Sequence, residues 1–152
     1  MTPRLRSEFA NANDSPGLLL WRVTNTWQAA QRAALLPLGL THVQFVLLAF
    51  LTWLDSDTPV TQRELAEHVH VDPMMTSQVL RVLEAKGLVL RTPHPSDARA
   101  RALKVTKAGA ALANKANSVV ESVDRKFFSL LDDLPRFTHM LQSLTKNHRT
   151  KH

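Results

Sequence analysis

The sequence predicts a mainly α protein with one small β-hairpin, and three observations indicate this fold class. Apolar residues recur at intervals of three and four along most of the chain, which is the period of an amphipathic helix. Two runs, Leu88 to Thr92 and Ala102 to Val105, are instead typical of short strands around a polar turn. Two short helices are predicted directly before these strands. A hairpin after a helix-turn-helix is a wing, so we expect a winged helix-turn-helix with a sheet of two or three strands and long terminal helices.

The first two helices should be long and apolar. Residues 15–36 start with Ser15-Pro16, a serine cap followed by a proline at the first helical position. The break at residues 37–39 is followed by Thr41 and Gln44, which match a capping box and open a second helix to about residue 54. This second helix is apolar on nearly every side, so we expect it to be central. The apolar line predicted for the first helix is Leu20, Val23, Trp27, Ala30 and Ala34.

The next two helices form the helix-turn-helix. Thr61 and Glu64 repeat the capping-box pattern and open a helix that ends near Val69. Asp72-Pro73 caps the fourth helix, which should stop before Gly87, a residue suited to the left-handed conformation. The apolar line predicted for the fourth helix is Met75, Val79, Leu80 and Leu83.

Two helices follow the wing. Thr106 should cap a long helix from about Lys107 to Leu131, and Leu134-Pro135 opens the last one. The apolar face predicted for the long helix consists of Ala108, Ala111, Leu112, Val119, Val123, Phe127, Leu130 and Leu131. The expected organisation is a flexible arm over 1–14, a winged lobe over 38–106, a helical dimerisation region over 15–37 and 107–148, and a mobile tail over 149–152.

The charge balance favours a polyanionic partner. The 152 residues contain 19 Lys and Arg against 13 Asp and Glu, and phosphate backbones attract such an excess through counterion release. The chain has no cysteine, which excludes thiol redox sensing and is compatible with the cytoplasm, where we expect the protein. No apolar run approaches the ~20 residues of a membrane span, and the first residues lack a secretory signal.

The residues carry no motif of an enzyme. With four glycines, the chain has neither a phosphate-binding loop with lysine nor a Gly-x-Ser-x-Gly elbow, so we predict no catalytic activity and no cofactor. The groupings of histidine are His68 with His70, and His139 with His148 and His152. Neither has the His-Glu-x-x-His spacing of a zinc site, so no metal site is expected.

The fourth helix should enter the major groove of DNA, as the second helix of such a motif does. Ser77 and Gln78 can pair with base edges, Met74 can touch a thymine methyl, and Arg81 can reach phosphate or guanine. The predicted contacts are Met74, Thr76, Ser77, Gln78 and Arg81 on this helix and Thr61, Arg63 and His70 to the DNA backbone.

The turn of the hairpin is basic. Arg99 and Arg101 are placed to enter a minor groove, where narrow A·T segments concentrate negative potential. Asp97, two residues before Arg99, could hold its guanidinium by charge-assisted hydrogen bonds. The predicted wing contacts are therefore Asp97, Arg99 and Arg101.

From Leu38 to Gly109, about half of its length, the chain resembles the MarR (multiple antibiotic resistance regulator) family. Ala98 departs from the pattern, since the family often has a second arginine there. The matching residues are Gly39-Leu40-Thr41 and Gln44, Thr61 through Ala66, Leu83 through Val89, Arg91, Asp97, Arg99, and Thr106 through Gly109.

The resemblance implies a homodimer, expected to be a repressor, that binds a pseudo-palindromic double-stranded operator. Independently, the terminal helices have more apolar surface than a small winged lobe can cover, and two-fold pairing would match half-sites one turn apart. The alternative is that these helices fold back on their own protomer.

Family members often release DNA when a small aromatic or phenolic compound binds between the dimer helices and the DNA-binding lobe. Candidate lining residues are Trp27, Gln31, His42, Phe45 and Trp53, which alternatively belong to the core. Two other functions stay open: a winged-helix protein-interaction module without DNA binding, and a metal-responsive regulator, because the family includes zinc-responsive members.

Overall fold

The computed structural model describes residues 4–54 and 58–146, which form six α-helices and a three-stranded sheet. The first three residues of the predicted arm, residues 147 and 148, and the predicted tail 149–152 lie outside the described residues. In chain order the elements are α1 (Pro16–Leu35), α2 (His42–Trp53), β1 (Val60–Thr61), α3 (Gln62–Val69), α4 (Pro73–Ala85), β2 (Val89–Pro93), β3 (Arg101–Val105), α5 (Lys107–Phe128) and α6 (Leu134–Lys146).

Side-chain caps begin the helices where the sequence predicts them. The hydroxyls of Thr41 and Thr61 accept from the amides of Gln44 and Glu64, whose side chains in turn accept from the threonine amides. Both predicted capping boxes are confirmed. The residues that cap α1, α4 and α5 are Ser15, Asp72 and Thr106.

The sheet is antiparallel, in the order β1-β3-β2. Val60 pairs with Leu103 and Val89 with Val105, so β3 runs between the hairpin partner β2 and the two-residue strand β1. Gly87 closes α4 with φ +72°, and Thr106 bonds back to the Gly87 and Leu88 carbonyls. The wing is therefore anchored at its base to the end of α4 and the start of α5.

The core lies where α2 packs against α4, α5 and the sheet. Its side chains without solvent exposure include Leu35, Leu47, Leu48, Leu65, Leu80, Leu83 and Val89. The expectation that α2 is buried on every side is wrong at its last residue, since Trp53 is 83% exposed. Trp53 lies two residues beyond the last core residue of α2, Leu51, and therefore on the opposite side of the helix.

The long helix α5 packs through small residues rather than through its largest ones. Its buried residues are Gly109, Ala113, Ala116 and Val120, whereas Ala108, Ala111 and Leu130 of the predicted face are exposed. A side chain at position 109 would overlap the carbonyl oxygen of Leu88. The helix also ends at Phe128 instead of Leu131. The predicted face is therefore wrong at Ala108, Ala111 and Leu130, because close approach of backbones favours glycine and alanine at the contact, whereas Leu112 of that face does pack against the core.

The outer turns of α1 are exposed in the single chain. Leu20 and Val23 are exposed, whereas Gln31 and Leu35 are the buried residues of this helix. Across residues 4–54 and 58–146, no single helix is both long and apolar enough to cross a membrane; residues 16–38 and 42–53 meet both conditions only when taken together, across a 75° bend.

Candidate nucleic-acid interface

The recognition helix α4 is fixed by its own N-terminus. Asp72 accepts from the Met75 amide at 3.0 Å, and its backbone carbonyl accepts from the Thr76 hydroxyl at 2.9 Å. Thr76 is fully buried. The prediction that Thr76 contacts DNA is therefore corrected: its hydroxyl is used inside the helix and its methyl packs into the lobe.

The buried line of α4 is consequently Thr76, Leu80 and Leu83, with spacings of four and three residues. This places Met75, predicted to be core, on the outside with 50% of its surface exposed, next to Met74 at 71%. Ser77 is partly exposed, and Gln78 and Arg81 are exposed. The outer face of α4 thus combines two thioethers with three polar side chains.

The turn before α4 places His70 in the open. This residue has φ 55° and ψ 39°, the left-handed conformation, and its side chain is exposed. Arg63 is exposed and pairs with Glu67 at 3.1 Å, whereas the hydroxyl oxygen and amide of Thr61 serve the capping box of α3. The backbone contacts predicted for these three residues stay predictions.

The wing tip is organised by Asp97. Its carboxylate accepts from the backbone amide of Arg99 at 3.0 Å, and its carbonyl accepts from the amide of Ala100 at 3.1 Å. Within the described residues Asp97 forms no ion pair with the Arg99 guanidinium, so the predicted grip on that side chain is corrected. Arg99 and Arg101 are exposed, and the aspartate shapes the turn that presents them.

Arg91 of β2 connects the wing to both helices of the motif. Its Nη1 donates to Gln62 Oε1 of α3 at 3.0 Å, and its Nε lies 3.6 Å from Glu84 Oε1 of α4. The second distance permits electrostatic attraction but is too long for a hydrogen bond, and the buried Nε has no hydrogen-bond partner. The sequence showed Arg91 only as part of the family resemblance and gave no sign of these contacts.

A second polar cluster lies between α1, α2 and α5. One carboxylate oxygen of Asp124 accepts from Trp27 Nε1 at 2.8 Å and from Gln31 Nε2 at 2.7 Å. The Trp27 and His42 rings meet edge to face, with centroids 5.1 Å apart. Gln31 Oε1 is buried without a partner. Three of the predicted effector-pocket residues are thus brought together around Asp124, which sequence reasoning missed.

The surroundings of His42 in this cluster favour its neutral form. Burial lowers the pKa of His42 below its ordinary value; the negative charge of Asp124 opposes this shift and the positive charge of Arg32 adds to it. The neutral form of the imidazole avoids a second charge beside the Asp124 carboxylate.

The other two predicted pocket residues lie further along α2. Phe45 and Trp53 line a groove of about 570 Å³ between α2 and α5, together with Phe50 and, on the α5 side, Asn117 and Glu121. The five predicted residues therefore divide between the Asp124 cluster and this groove. In residues 4–54 and 58–146, no group of three or more His, Asp or Glu side chains could hold a metal ion, and His148 and His152 lie outside the described residues.

Comparison with known proteins finds one family throughout. The model of the MarR family matches residues 40–100. The HTH-type transcriptional regulator YdcH of Bacillus subtilis (strain 168) is 39% identical over 142 residues, which are 93% of this chain and 97% of the relative. The HTH-type transcriptional repressor Rv2887 of Mycobacterium tuberculosis (strain ATCC 25618 / H37Rv) is 38% identical over 137 residues, with 88% and 96% covered.

Solved structures agree with these relatives. The crystal structure of Rv2887 in complex with DNA superposes with a TM-score of 0.65 at 35% identity, covering 86% of this chain and 97% of that chain. CouR from Rhodococcus jostii RHA1 bound to p-coumaroyl-CoA superposes with a TM-score of 0.78 at 27% identity, covering 90% and 95%. The predicted winged fold and the resemblance stated from the sequence are confirmed.

Proposed function

This chain belongs to the MarR family of transcriptional regulators, and we propose that it acts as a homodimeric repressor that binds a pseudo-palindromic DNA operator through α4 and the wing. The observation that carries the proposal is that α4 has one buried side and one exposed polar side. One side is buried through Thr76, Leu80 and Leu83, while Gln78 and Arg81 are exposed and are tied to no other residue of the chain by a described hydrogen bond. Such a free polar face suits the major groove.

The dimer is supported by apolar surface that this chain does not cover. No residue of α6 is buried, and Met140, Leu141 and Leu144 are exposed along it. Exposed apolar residues also line the outer part of α1, namely Leu19, Leu20, Trp21 and Val23. Apolar surface of this extent on two helices indicates an interface. This exposure favours the dimer over the alternative, in which both helices fold back on their own protomer.

An aromatic effector is proposed for the region between α1, α2 and α5. The groove of Phe45, Phe50 and Trp53 offers aromatic walls, and Asn117 and Glu121 on its α5 side offer polar groups. The ligand bound to CouR gives precedent within the family for such a compound. The effector would act by binding the DNA-free arrangement of the dimer more tightly than the DNA-bound one.

The test is a selection of bound duplexes from a randomised pool, followed by anisotropy measurements on the recovered operator at several salt concentrations. Arg99→Ala should weaken binding by ~1–3 kcal/mol and reduce the salt dependence, while Gln78→Ala should relax base preference at one position per half-site. Arg125→Ala is the matched control, since it removes an exposed positive charge from α5, outside the lobe.

Each part of the proposal can fail separately. Recovery of no preferred sequence, with Arg99→Ala equal to Arg125→Ala, would refute the DNA-reading assignment and favour a protein-interaction module. Sedimentation at a micromolar concentration should give about twice the chain mass of 17.1 kDa, and a single-chain mass would refute the dimer. Phenolic and cationic aromatic compounds can then be screened for release of the operator.

A further inference from the structure

We propose that Met74 and Met75 form an oxidation switch, in which conversion of their thioethers to sulfoxides releases the protein from DNA. The inference rests on the proposed DNA-reading role of α4. It goes beyond that role because it concerns a covalent modification and a chemical signal.

The first step of the argument is accessibility. Met74 and Met75 are 71% and 50% exposed, although both are large apolar residues on a helix whose opposite side is fully buried. Oxidation of a thioether needs no deprotonation, so exposure is the main requirement. Both sulfurs are therefore open to a small oxidant while the protein is free of DNA.

The second step is position. Met74 and Met75 are the second and third residues of α4, which begins at Pro73. The N-terminal residues of a recognition helix contact base edges, and an apolar side chain there contacts a thymine methyl. Asp72 caps this turn through the Met75 amide, so the backbone that presents both thioethers is fixed.

The third step is the chemistry. With hypochlorous acid, the sulfur gains oxygen as a new S–O bond while the O–Cl bond breaks; sulfur loses two electrons, chlorine leaves as chloride and the acid proton is released. The product is a polar, chiral sulfoxide. Two adjacent sulfoxides would replace the apolar contact to thymine methyls with polar groups, which retain water in the groove and weaken binding.

The composition restricts where such a signal can act. The chain has no cysteine and four methionines, so the oxidisable sulfur of the described residues consists of Met74, Met75 and Met140. Met140 lies on α6, away from the lobe, and serves as an internal comparison.

The experiment measures operator binding of the full chain before and after treatment with hypochlorous acid, with peptide mass spectrometry to locate the added oxygen. Wild type should lose roughly tenfold in affinity and regain it with methionine sulfoxide reductases. The double variant Met74→Leu/Met75→Leu keeps the apolar volume, and its operator affinity after treatment should equal its own affinity before treatment, whatever that starting value is. Met140→Leu should remain as sensitive as wild type, and bound operator should protect positions 74 and 75 from oxygen.

Three results would overturn the inference. Wild type with sulfoxide at both positions could bind the operator as before. The oxidant could reduce the affinity of the double leucine variant as much as that of wild type. Bound operator could also leave both sulfurs open to oxidation. If untreated wild type binds no DNA at all, the proposed function itself fails. Binding that survives complete oxidation refutes only the switch.

Discussion

Replacing Arg91 tests whether the wing and the helix-turn-helix are held together by one side chain. Arg91→Met keeps the length of the aliphatic stem and removes the guanidinium, whereas Arg91→Lys keeps the charge and removes the planar fork. The guanidinium contacts Gln62 on α3 and lies near Glu84 on α4, and it is itself carried by β2. No other described side chain makes polar contacts from the wing to both helices.

The magnitude follows from the two contacts. The bond to Gln62 at 3.0 Å has a charged donor, and the Arg91 side chain is 17% exposed, so this bond should contribute about 1.5–3 kcal/mol. The pair with Glu84 is longer and its carboxylate is 40% exposed, so it adds less than about 1 kcal/mol. Water can replace the lost partners of Gln62 and Glu84, and the methionine stem keeps most of the packing. We expect Arg91→Met to cost about 2 kcal/mol in unfolding free energy.

The assay is urea unfolding of wild type, Arg91→Met and Arg91→Lys, with operator anisotropy on the same samples. Arg91→Lys should fall between the other two, because an ammonium can reach one of the two partners at a time. Arg91→Met should also lower operator affinity more than Arg125→Ala does, since α4 and the wing lose their fixed spacing. Unchanged unfolding in Arg91→Met would refute the reasoning, and so would a lysine variant as stable as wild type.

Three further predictions concern backbone conformation, packing and pH. His70→Gly should be more stable than His70→Ala by about 1 kcal/mol, because alanine in the left-handed conformation carries strain that glycine lacks; equal urea midpoints would contradict this. Gly109→Ala should cost about 2–3 kcal/mol through overlap with the Leu88 carbonyl, while Gly17→Ala, where nothing lies within 4 Å, should stabilise α1 by up to about 1 kcal/mol. The folded pKa of His42 is lowered from 6.5, so its contribution to stability is present above pH 6.5 and is lost as the pH falls through the folded pKa. His42→Gln should flatten that part of the unfolding free energy measured against pH, and an identical pH profile in both proteins would exclude burial of a neutral imidazole.

The local signals in the sequence predicted the elements well. Thr41 with Gln44 and Thr61 with Glu64 are capping boxes in the structure, and Gly87 ends α4 in the left-handed conformation. These signals involve residues within three or four positions of one another, so they can be recognised from the sequence alone. They located the helix-turn-helix and the wing without any tertiary contact.

The errors arose where packing buries a small or polar residue in place of a larger apolar one. Met75 was expected inside and Thr76 outside, but the hydroxyl of Thr76 is satisfied by the Asp72 carbonyl, so the smaller side chain can be buried. On α5, Gly109 and Ala113 pack inward because a close backbone approach outweighs the gain from larger side chains. Spacing cannot distinguish such cases, because Met75 and Thr76 each lie four residues before an apolar residue, Val79 or Leu80.

The sequence predicted which residues are exposed at the candidate site, but it did not predict the contacts between distant residues. Ser77, Gln78, Arg81, Arg99 and Arg101 have the accessible positions that the sequence suggested. Asp124 could not be found, because its partners Trp27 and Gln31 precede it by more than 90 residues. Long-range polar pairing of this kind leaves no periodic signal.

The bonds that Asp124 accepts from Trp27 and Gln31 also determine the register of α1 on α5. In a purely apolar helix pair, sliding by one turn exchanges one aliphatic contact for another at little cost. Here a slip of one turn would leave a carboxylate, an indole N–H and a buried amide without partners, each at a penalty of about 1–3 kcal/mol. The polar triad therefore selects a single alignment of the two helices, and it opposes exchange of α1 into a shifted position on another copy of the chain.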